Sequence, residues 1–242
     1  MQSGLANVLS NIGREALRIV LPAWCSVCGG ELGWRSRIAS CCDACWRGLP
    51  RIDGAKCRSC AQPLPEGELC IACIRTPLPL GWCEAWGEYR GGLETLLHAL
   101  KFDRQDFLGD VLGGLAAGTL RQRGDLAFDA VVPVPMSPVR ERRRGYNQAT
   151  LIANGVARGI GVPCDPSLLT RRRDGATQST LPKRERAANV RRAFGASARV
   201  RSRAILLVDD ICTTGETLRA CAKALHAAGA SKVCAVAVAK ST

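Results

Sequence analysis

Two adjacent acids and the hydroxyl-rich loop behind them are the residues of this chain whose types and spacing most clearly indicate chemistry. Asp209 and Asp210 directly follow the apolar run Ala204 to Val208. An uninterrupted apolar run of this length predicts a strand buried on both faces, as in a parallel sheet. Open α/β sheets bind their ligands at the carboxyl ends of the strands. We therefore expect both carboxylates to lie at a ligand site.

A loop of threonines and glycine comes after the acids and leads into residues with the apolar spacing of a helix. Backbone N–H groups, hydroxyls and the positive end of a helix dipole together favour one bound anion. Carboxylates suit the vicinal hydroxyls of a sugar, or the waters around a divalent cation. A phosphorylated sugar satisfies both halves, whereas an ordinary capped turn would not need paired acids. The anion-binding candidates are Thr213, Thr214, Gly215, Glu216 and Thr217.

Cysteines supply the second chemical pattern, since four Cys-x-x-Cys pairs occupy the first third of the chain. One such pair can direct both thiolates at one ion, and two pairs complete a tetrahedral zinc site. Pairing in sequence order predicts two zinc ribbons, with 13 residues between the pairs of the first and 9 between those of the second. The predicted ligands are Cys25, Cys28, Cys42 and Cys45 in the first ribbon, and Cys57, Cys60, Cys70 and Cys73 in the second.

The segment that carries these pairs has too little apolar sequence to build a core of its own. Structural zinc supplies roughly 10–16 kcal/mol in such peptides, which is enough to fold it. Disulfides and redox catalysis are the alternatives, but paired cysteines in a cytoplasmic protein more often hold metal. Cys41 competes with Cys42 as a ligand, although only Cys42 keeps the two-residue gap to Cys45. The pattern leaves open whether the ribbons contact DNA or protein or are only structural.

The changes in pattern along the chain predict its domains. Residues 1–20 have an amphipathic helical spacing, which favours packing on the body of the protein over peripheral contact with a membrane surface. Residues 21–76 form the double zinc ribbon, the proline-containing segment 77–85 is a linker, and residues 86–242 form an α/β domain. Signal-peptide and transmembrane patterns are lacking, so we expect a cytoplasmic protein.

The α/β domain alternates helical and strand patterns before it reaches the acids. Helices are expected from Leu93 to Lys101 and over Leu108 to Leu120, although glycines disfavour the second. A strand is expected from Asp129 to Val134, ended by Pro135, and then one helix that continues to about Arg158. This order predicts a mostly parallel sheet flanked by helices.

Positive charge is concentrated in one part of the chain, whose total formal charge is +13. Between Arg140 and Arg203 there are 16 Lys and Arg against 4 Asp and Glu. The excess indicates attraction for polyanions such as pyrophosphate or nucleic acid, and a solvated arginine-rich surface is the alternative.

The segment from Ala204 to Thr217 resembles the motif by which type I phosphoribosyltransferases bind 5-phosphoribosyl-1-pyrophosphate (PRPP). Cys212 departs from it, because the family has an aliphatic residue there. The resemblance implies that Asp209 and Asp210 are catalytic, that Mg²⁺ accompanies PRPP, and that a loop closes over the site. It places pyrophosphate contacts at Pro135, Met136, Arg144, Gln178 and Arg186.

The whole chain is similar to the ComF family of competence-associated proteins. The similarity rests on the zinc knuckles, Leu100-Lys101, Pro133-Val134-Pro135, Arg144-Gly145-Tyr146-Asn147-Gln148, Gln178, Arg186-x-x-Asn189 and the acidic motif, in this order. It implies PRPP binding and a link to DNA uptake.

Three functions are compatible with this pattern. The first is a phosphoribosyltransferase that releases pyrophosphate, with an acceptor that the sequence does not identify. The second is a non-catalytic competence protein that binds single-stranded DNA, or the DNA-uptake machinery, and keeps the PRPP site as a sensor. The third is a PRPP-responsive regulator, although no helix-turn-helix pattern is present.

Overall fold

The computed structural model describes residues 24–33, 38, 40–124, 126–171 and 193–241. Its helices are α1 (Asp43–Arg47), α2 (Ile71–Arg75), α3 (Gly91–Phe102), α4 (Leu108–Arg123), α5 (Pro138–Arg144), α6 (Gln148–Ile160) and α7 (Glu216–Ala227). Its strands are β1 (Cys83–Glu88), β2 (Ala130–Pro133), β3 (Leu169–Arg171), β4 (Phe194–Ala196), β5 (Ala204–Cys212) and β6 (Lys232–Lys240). The amphipathic helix expected over residues 1–20, and the closing loop with Gln178 and Arg186, lie outside the described residues.

Four parallel strands form the main sheet, in the spatial order β1-β6-β5-β2. The apolar run that predicted a buried strand lies in β5, at an interior position between β6 and β2. The strand is longer than the run, because pairing continues through both acids, with Asp209 opposite Ala237 and Cys212 opposite Lys240. All four strands end at the same edge, so the acids and the residues after β2 are brought to one side of the sheet.

Helices cover both faces of the sheet, which confirms the predicted α/β class with a mostly parallel sheet. Alternate β5 residues point to opposite sides: Leu206 and Val208 pack with α3, α4 and α6, whereas Ile205 and Leu207 pack with α7. The short antiparallel pair β3–β4 joins α7 on its face. The sheet is therefore the middle of three layers, and its inner strands are buried on both sides.

Close contact between α4 and α6 explains the glycines that made α4 an uncertain helix from sequence alone. A Cβ atom added to Gly113 would lie 2.3 Å from the backbone oxygen of Ile152, and one added to Gly155 would lie 2.6 Å from that of Asp110. The helix backbones approach too closely for any side chain there. The helical penalty of these glycines is thus offset by packing that only glycine permits.

Two boundaries differ from the sequence expectations. The single helix expected up to about Arg158 is two helices, α5 and α6, because Gly145 adopts a left-handed conformation (φ 93°) and ends the first. Strand β1 begins at Cys83, inside the segment expected as a linker, and Leu78 of that segment packs against the second ribbon. No helix in the described part of the chain has the length and apolar character needed to cross a bilayer.

Candidate functional site

A cavity of about 290 Å³ opens where β2 and β5 end. It brings together six of the residues singled out from sequence, namely Pro135, Met136, Asp209, Asp210, Thr213 and Thr217. Its other lining residues are Lys101, Val134, Ser137, Arg140, Asn147, Gln148, Arg171 and Ile211. The acids, the segment expected to contact pyrophosphate and part of the threonine loop therefore share one space.

Asp209 is a carboxylate held where ionisation is unfavourable. Its side chain lies in the buried strand β5, the residue is only 9% exposed, and its Oδ1 accepts the backbone N–H of Asp210 at 2.9 Å. Burial, and then the neighbouring charge of Asp210, raise the pKa of Asp209 well above its usual value. A polyhydroxyl ligand or a cation at the cavity would favour the ionised form.

Asp210 is stabilised by partners from two helices. Its Oδ2 lies 2.5 Å from Nζ of Lys101, at the end of α3, and accepts a hydrogen bond of 3.3 Å from Gln148 of α6. Its Oδ1 accepts the N–H of Ile211 at 2.9 Å. Because Asp210 has a cation beside it, the two adjacent acids lie in unlike electrostatic surroundings.

The segment after β2 is fixed by a buried asparagine. The N–H of Val134 donates to the oxygen of Val208 at 2.8 Å, which extends the strand pairing to the cavity. Asn147 is the N-cap of α6, accepts the N–H of Ala149 at 3.0 Å, and donates its side-chain amide to the oxygen of Val134 at 3.0 Å. This network holds the backbone before Pro135 in place, as a site that must match a fixed ligand shape requires.

The threonine loop, residues 213–217, ends at a helix N-terminus with no side-chain cap of its own. Gly215 is the N-cap of α7 and has a left-handed backbone (φ 78°). In the 12-residue helix α7 the N–H of Glu216 makes a long hydrogen bond of 3.5 Å to Oγ1 of Thr214, and the N–H groups at such a helix start suit a bound anion. Beneath the loop, Lys240 is 4% exposed and donates to the oxygens of Thr213 at 2.6 Å and Ser241 at 2.5 Å. The loop therefore combines backbone donors with a buried positive charge.

Arg144 lies in a neighbouring space rather than beside the acids. Its guanidinium hydrogen-bonds Gln148 and lies 5.1 Å from the ring centre of Phe102. We call this neighbouring space of about 560 Å³ the arginine pocket; it is lined by Lys101, Phe102, Arg104, Arg140, Arg143, Arg144 and Tyr146. Arg140 and Lys101 line both spaces, so the arginine pocket adjoins the acidic cavity.

Several site residues were missed by sequence reasoning. Lys101, Asn147 and Gln148 occur in motifs of the family resemblance. Their positions in the sequence do not indicate that Lys101 and Gln148 contact Asp210, or that Asn147 contacts the end of β2. Arg140 was one of many arginines in the basic part of the chain, and no motif included Lys240. Two of the three remaining anion candidates, Thr214 and Glu216, line a groove of about 460 Å³ toward the second ribbon, which Thr213 also lines. The third, Gly215, is the N-cap of α7.

The eight predicted zinc ligands form two clusters. Cys25, Cys28, Cys42 and Cys45 form one, Cys57, Cys60, Cys70 and Cys73 form the other, and within each the sulfur atoms lie within 4.8 Å of one another. Four convergent sulfurs are the ligand set of a structural zinc site. All 14 cysteines of the chain have free thiols, and the separation of Cys60 and Cys70 sulfurs, 3.7 Å, is well beyond a disulfide bond.

Cys42, and not Cys41, belongs to the first cluster. Burial raises the pKa of the Cys41 thiol to about 12, which keeps it protonated. Burial also opposes ionisation of Cys25, but N–H donors of Cys42, Cys28 and Val27 outweigh it and lower the pKa of Cys25 to about 6. The cluster is therefore able to present thiolate while Cys41 remains a buried thiol.

Models of known protein families match two parts of the chain. The family model of the double zinc ribbon domain matches residues 16–74, and that of the phosphoribosyl transferase domain matches residues 146–242. The fold and the cysteine clusters thus define a protein in which a double zinc ribbon precedes a domain of the phosphoribosyltransferase class.

Curated relatives are similar to this chain over most of its length. DNA utilization protein YhgH of Escherichia coli is 32% identical over 197 residues, which cover 79% of this chain and 86% of that protein. Competence protein F of Haemophilus influenzae is 30% identical over 61% of this chain and 67% of its own length. Competence protein ComFC of Streptococcus pneumoniae is 29% identical over 79% of this chain and 84% of its own. The chain belongs to the ComF family.

Proposed function

We propose that the chain binds PRPP, or a related phosphorylated pentose, and transfers the phosphoribosyl group to an acceptor with release of pyrophosphate. The observation that carries the proposal is the shared cavity of Asp209 and Asp210 with Thr213, Thr217 and the Pro135–Met136 segment. A phosphoryl group, sugar hydroxyls and a second anion each have a chemically suited wall in that one space.

Each group of the ligand would have its own partner. The N–H groups at the start of α7 and the hydroxyls of residues 213–217 suit the 5-phosphate, with the charge of Lys240 behind them. The carboxylates suit the two ribose hydroxyls, which donate to them. Arg140 at the cavity mouth suits the pyrophosphate, since guanidinium binds phosphate oxygens in pairs.

The transfer breaks the bond between the anomeric carbon and a pyrophosphate oxygen, and the electron pair leaves with pyrophosphate. A lone pair of the acceptor forms the new bond to that carbon, and the acceptor then loses its proton. Positive charge develops on the sugar during this step, and the carboxylates of Asp209 and Asp210 would stabilise it at short range.

The acids also fit a divalent cation such as Mg²⁺, because carboxylate oxygens and water are its preferred ligands. Asp209 and Asp210 would hold such an ion, and the ion would supply positive charge that stabilises the departing pyrophosphate. Lys101 lines both the cavity and the arginine pocket. With such an ion bound, Lys101 would move away from Asp210 or share that carboxylate with the ion.

Calorimetric titration with PRPP, with and without Mg²⁺, tests the binding. We expect Asp209→Asn and Asp210→Asn each to weaken binding by at least about tenfold, or 1.4 kcal/mol. Asp53→Asn is the matched control, because that side chain is 80% exposed on the connection between the ribbons. Unchanged affinity in both cavity variants would overturn the assignment. Release of pyrophosphate with bases or nucleic acids as acceptors then distinguishes transfer from binding alone.

A second function, binding of single-stranded DNA, is favoured by the arginine pocket. Four arginines and a lysine line this pocket together with Phe102, which is 60% exposed. Stacking of bases on an exposed aromatic ring, with cations along the backbone, is the usual mode of single-strand binding. The names of the relatives, DNA utilization and competence proteins, support a role in DNA uptake. Cysteine clusters that hold metal instead of forming disulfides are typical of a reducing cytoplasm, which is where we place this role.

Fluorescence anisotropy with a labelled oligonucleotide tests this function. Phe102→Ala should weaken binding by roughly tenfold, since stacking contributes about 1–3 kcal/mol per base. Phe107→Ala is the control, because Phe107 is 41% exposed and lies outside the pocket lining. Equal loss in both variants, or none, would exclude the arginine pocket as the contact surface.

A further inference from the structure

We propose that the second zinc ribbon braces the phosphate-binding loop, so that the order of residues 213–217 depends on the cluster Cys57, Cys60, Cys70 and Cys73. The first ribbon packs against α3, and we assign it no role in ordering the loop. The effect on the loop stands by itself, and only its consequence for PRPP affinity rests on the proposed function.

An apolar contact joins the ribbon to the loop. Leu78 is buried in a small cluster with Cys57, Cys60 and Cys73. On its other side it touches the loop, because a Cβ atom added to Gly215 would lie 3.0 Å from Cδ1 of Leu78. Leu78 thus fills the space between the cysteine cluster and the residue at which the loop turns into α7.

A polar contact reinforces this one. Arg219, 15% exposed on α7, donates to the backbone oxygens of Pro77 at 2.6 Å and Thr76 at 2.9 Å and pairs with Glu216 at 3.1 Å. Thr76 is the C-cap of α2, the helix that carries Cys73. One guanidinium therefore links the end of the ribbon helix to the first turn after the loop.

A third contact lies at the start of the loop. The thiol of Cys212, the last residue of β5, lies 3.7 Å from the backbone oxygen of Cys60. Cys60 and Cys73 then line the groove of about 460 Å³ together with Thr213 and Thr214. The ribbon thus contacts the loop before, within and after its turn.

The first ribbon packs elsewhere. A Cβ atom added to Gly92, in the first turn of α3, would lie 2.9 Å from Leu49 and 3.2 Å from Val27, which both lie in or beside that ribbon. Ser26 accepts a hydrogen bond from Gln105, just beyond α3. Its contacts are thus with both ends of α3, which makes it a natural comparison for the second ribbon.

A bound metal ion would make the second ribbon rigid enough to hold the loop in place. A ribbon of this size has too small a core to hold a fixed shape without a bound ion, and a four-thiolate cluster fits zinc. A loosened ribbon would leave the loop to order itself when the phosphate binds, and ordering at that moment costs affinity.

Hydrogen–deuterium exchange of the ligand-free protein tests the brace directly. Leu78→Ala should increase exchange of the amides of residues 213–217 by about tenfold, since their protection reports local opening. Ile74→Ala is the matched control, because Ile74 belongs to the same ribbon but is 64% exposed. Zinc content is measured in both, so that loss of metal is distinguished from loss of the contact. Equal loop exchange in the two variants would overturn the proposal.

The polar contact has its own matched pair. Arg219→Ala should also increase loop exchange, whereas Lys223→Ala, which removes the same charge from the exposed side of α7 one turn later, should leave it unchanged. Arg219→Lys should restore little of the loop's protection from exchange, because an ammonium group does not reproduce the planar guanidinium that donates to two carbonyl oxygens. Full rescue by lysine would mean that charge, and not bracing, is the role of Arg219.

The two ribbons are compared through one ligand of each. Cys73→Ser should increase loop exchange more than Cys45→Ser, and equal effects would contradict a special role of the second ribbon. Where the wild type binds PRPP, affinity should fall in Leu78→Ala by about tenfold, in parallel with loop exchange. A wild type that does not bind PRPP would refute the proposed function, while the exchange data would still decide on the brace.

Discussion

At the scale of single residues, the two acids of the candidate site show how differently neighbours in sequence can be placed. Asp210 has Lys101 at 2.5 Å, whereas Asp209 is buried beside another carboxylate and its pKa is raised by that burial. One acid is paired with a cation of the protein. The other accepts the backbone N–H of Asp210 and would gain a cation or hydroxyl donor when a ligand binds, which favours ligand recognition over stability.

The raised pKa of Asp209 predicts a pH-dependent stability. A group whose pKa is raised by folding contributes stability that is complete below its unfolded pKa and is lost as the pH rises through its folded pKa. Asparagine does not titrate, so Asp209→Asn should gain melting temperature relative to the wild type as the pH rises from 5 to 8. Each 1 kcal/mol is worth roughly 2–4 °C in a protein of this size. Asp53→Asn is the control. A melting-temperature difference between Asp209→Asn and the wild type that stays constant or decreases as the pH rises would contradict this prediction.

Cys41 and Cys42 provide a sharper comparison, because they are adjacent and chemically identical. Only Cys42 belongs to the four-sulfur cluster, while burial keeps Cys41 protonated. Native mass spectrometry should find two zinc ions in Cys41→Ser and one in Cys42→Ser. Loss of an ion from Cys41→Ser with retention in Cys42→Ser would reverse the ligand assignment.

The residues predicted from sequence are those that occur together in one motif. Asp209, Asp210 and Thr213 could be found because strand, acids and loop are contiguous, and their chemistry is local. Lys101, Gln148 and Lys240 could not, because they reach the site from separate elements, and only the packing of α3, α6 and β6 brings them there. A charge partner that is distant in sequence has no periodic signal.

At the scale of elements, helix α4 shows where local propensity misleads. Its glycines weaken an isolated helix, yet they allow its backbone to meet that of α6. The apolar spacing predicted the helix. Its end at Arg123, capped by the left-handed Gly124, and the division of α5 from α6 at the left-handed Gly145 were not predicted. The order of the strands in the sheet was likewise beyond sequence patterns.

Two adjacent glycines in α4 should respond oppositely to alanine. Gly113→Ala places a methyl group 2.3 Å from a backbone oxygen of α6, and such overpacking costs about 1–3 kcal/mol. Gly114 faces open space, so Gly114→Ala should stabilise the protein by up to about 1 kcal/mol through helix propensity alone. Urea unfolding of both variants measures this, and stabilisation of both would mean that the helices are less closely packed than described.

At the scale of the whole molecule, positive charge and the second ribbon both lie next to the candidate site. The arginine pocket adjoins the acidic cavity through Lys101 and Arg140, and the second ribbon shares a groove with Thr213 and Thr214 of the loop. Part of the formal charge of +13 therefore lines the arginine pocket and the acidic cavity. A long anion that binds the arginine pocket would lead directly to the sugar-phosphate site.

Salt dependence should identify which arginines face a polyanion. Each phosphate contact to a single strand contributes roughly 0.7 to the slope of log affinity against log salt concentration. Arg143→Gln should reduce the slope by about that amount, since Arg143 lines the pocket. Arg142→Gln, one residue earlier on α5 and outside the lining, should reduce it by less than half as much. Equal reductions would indicate diffuse attraction to α5 and not a defined contact.

The pairing of β1 has a consequence for biosynthesis. This strand is made before the other sheet strands, but its neighbour in the sheet, among the described residues, is β6, which follows β5 in the chain. A nascent chain leaving the ribosome therefore leaves that edge of β1 unpaired until β6 has emerged, and unpaired edges favour aggregation. Chaperone protection during translation, or early folding of the cysteine-rich ribbons beside β1, would shorten that exposure.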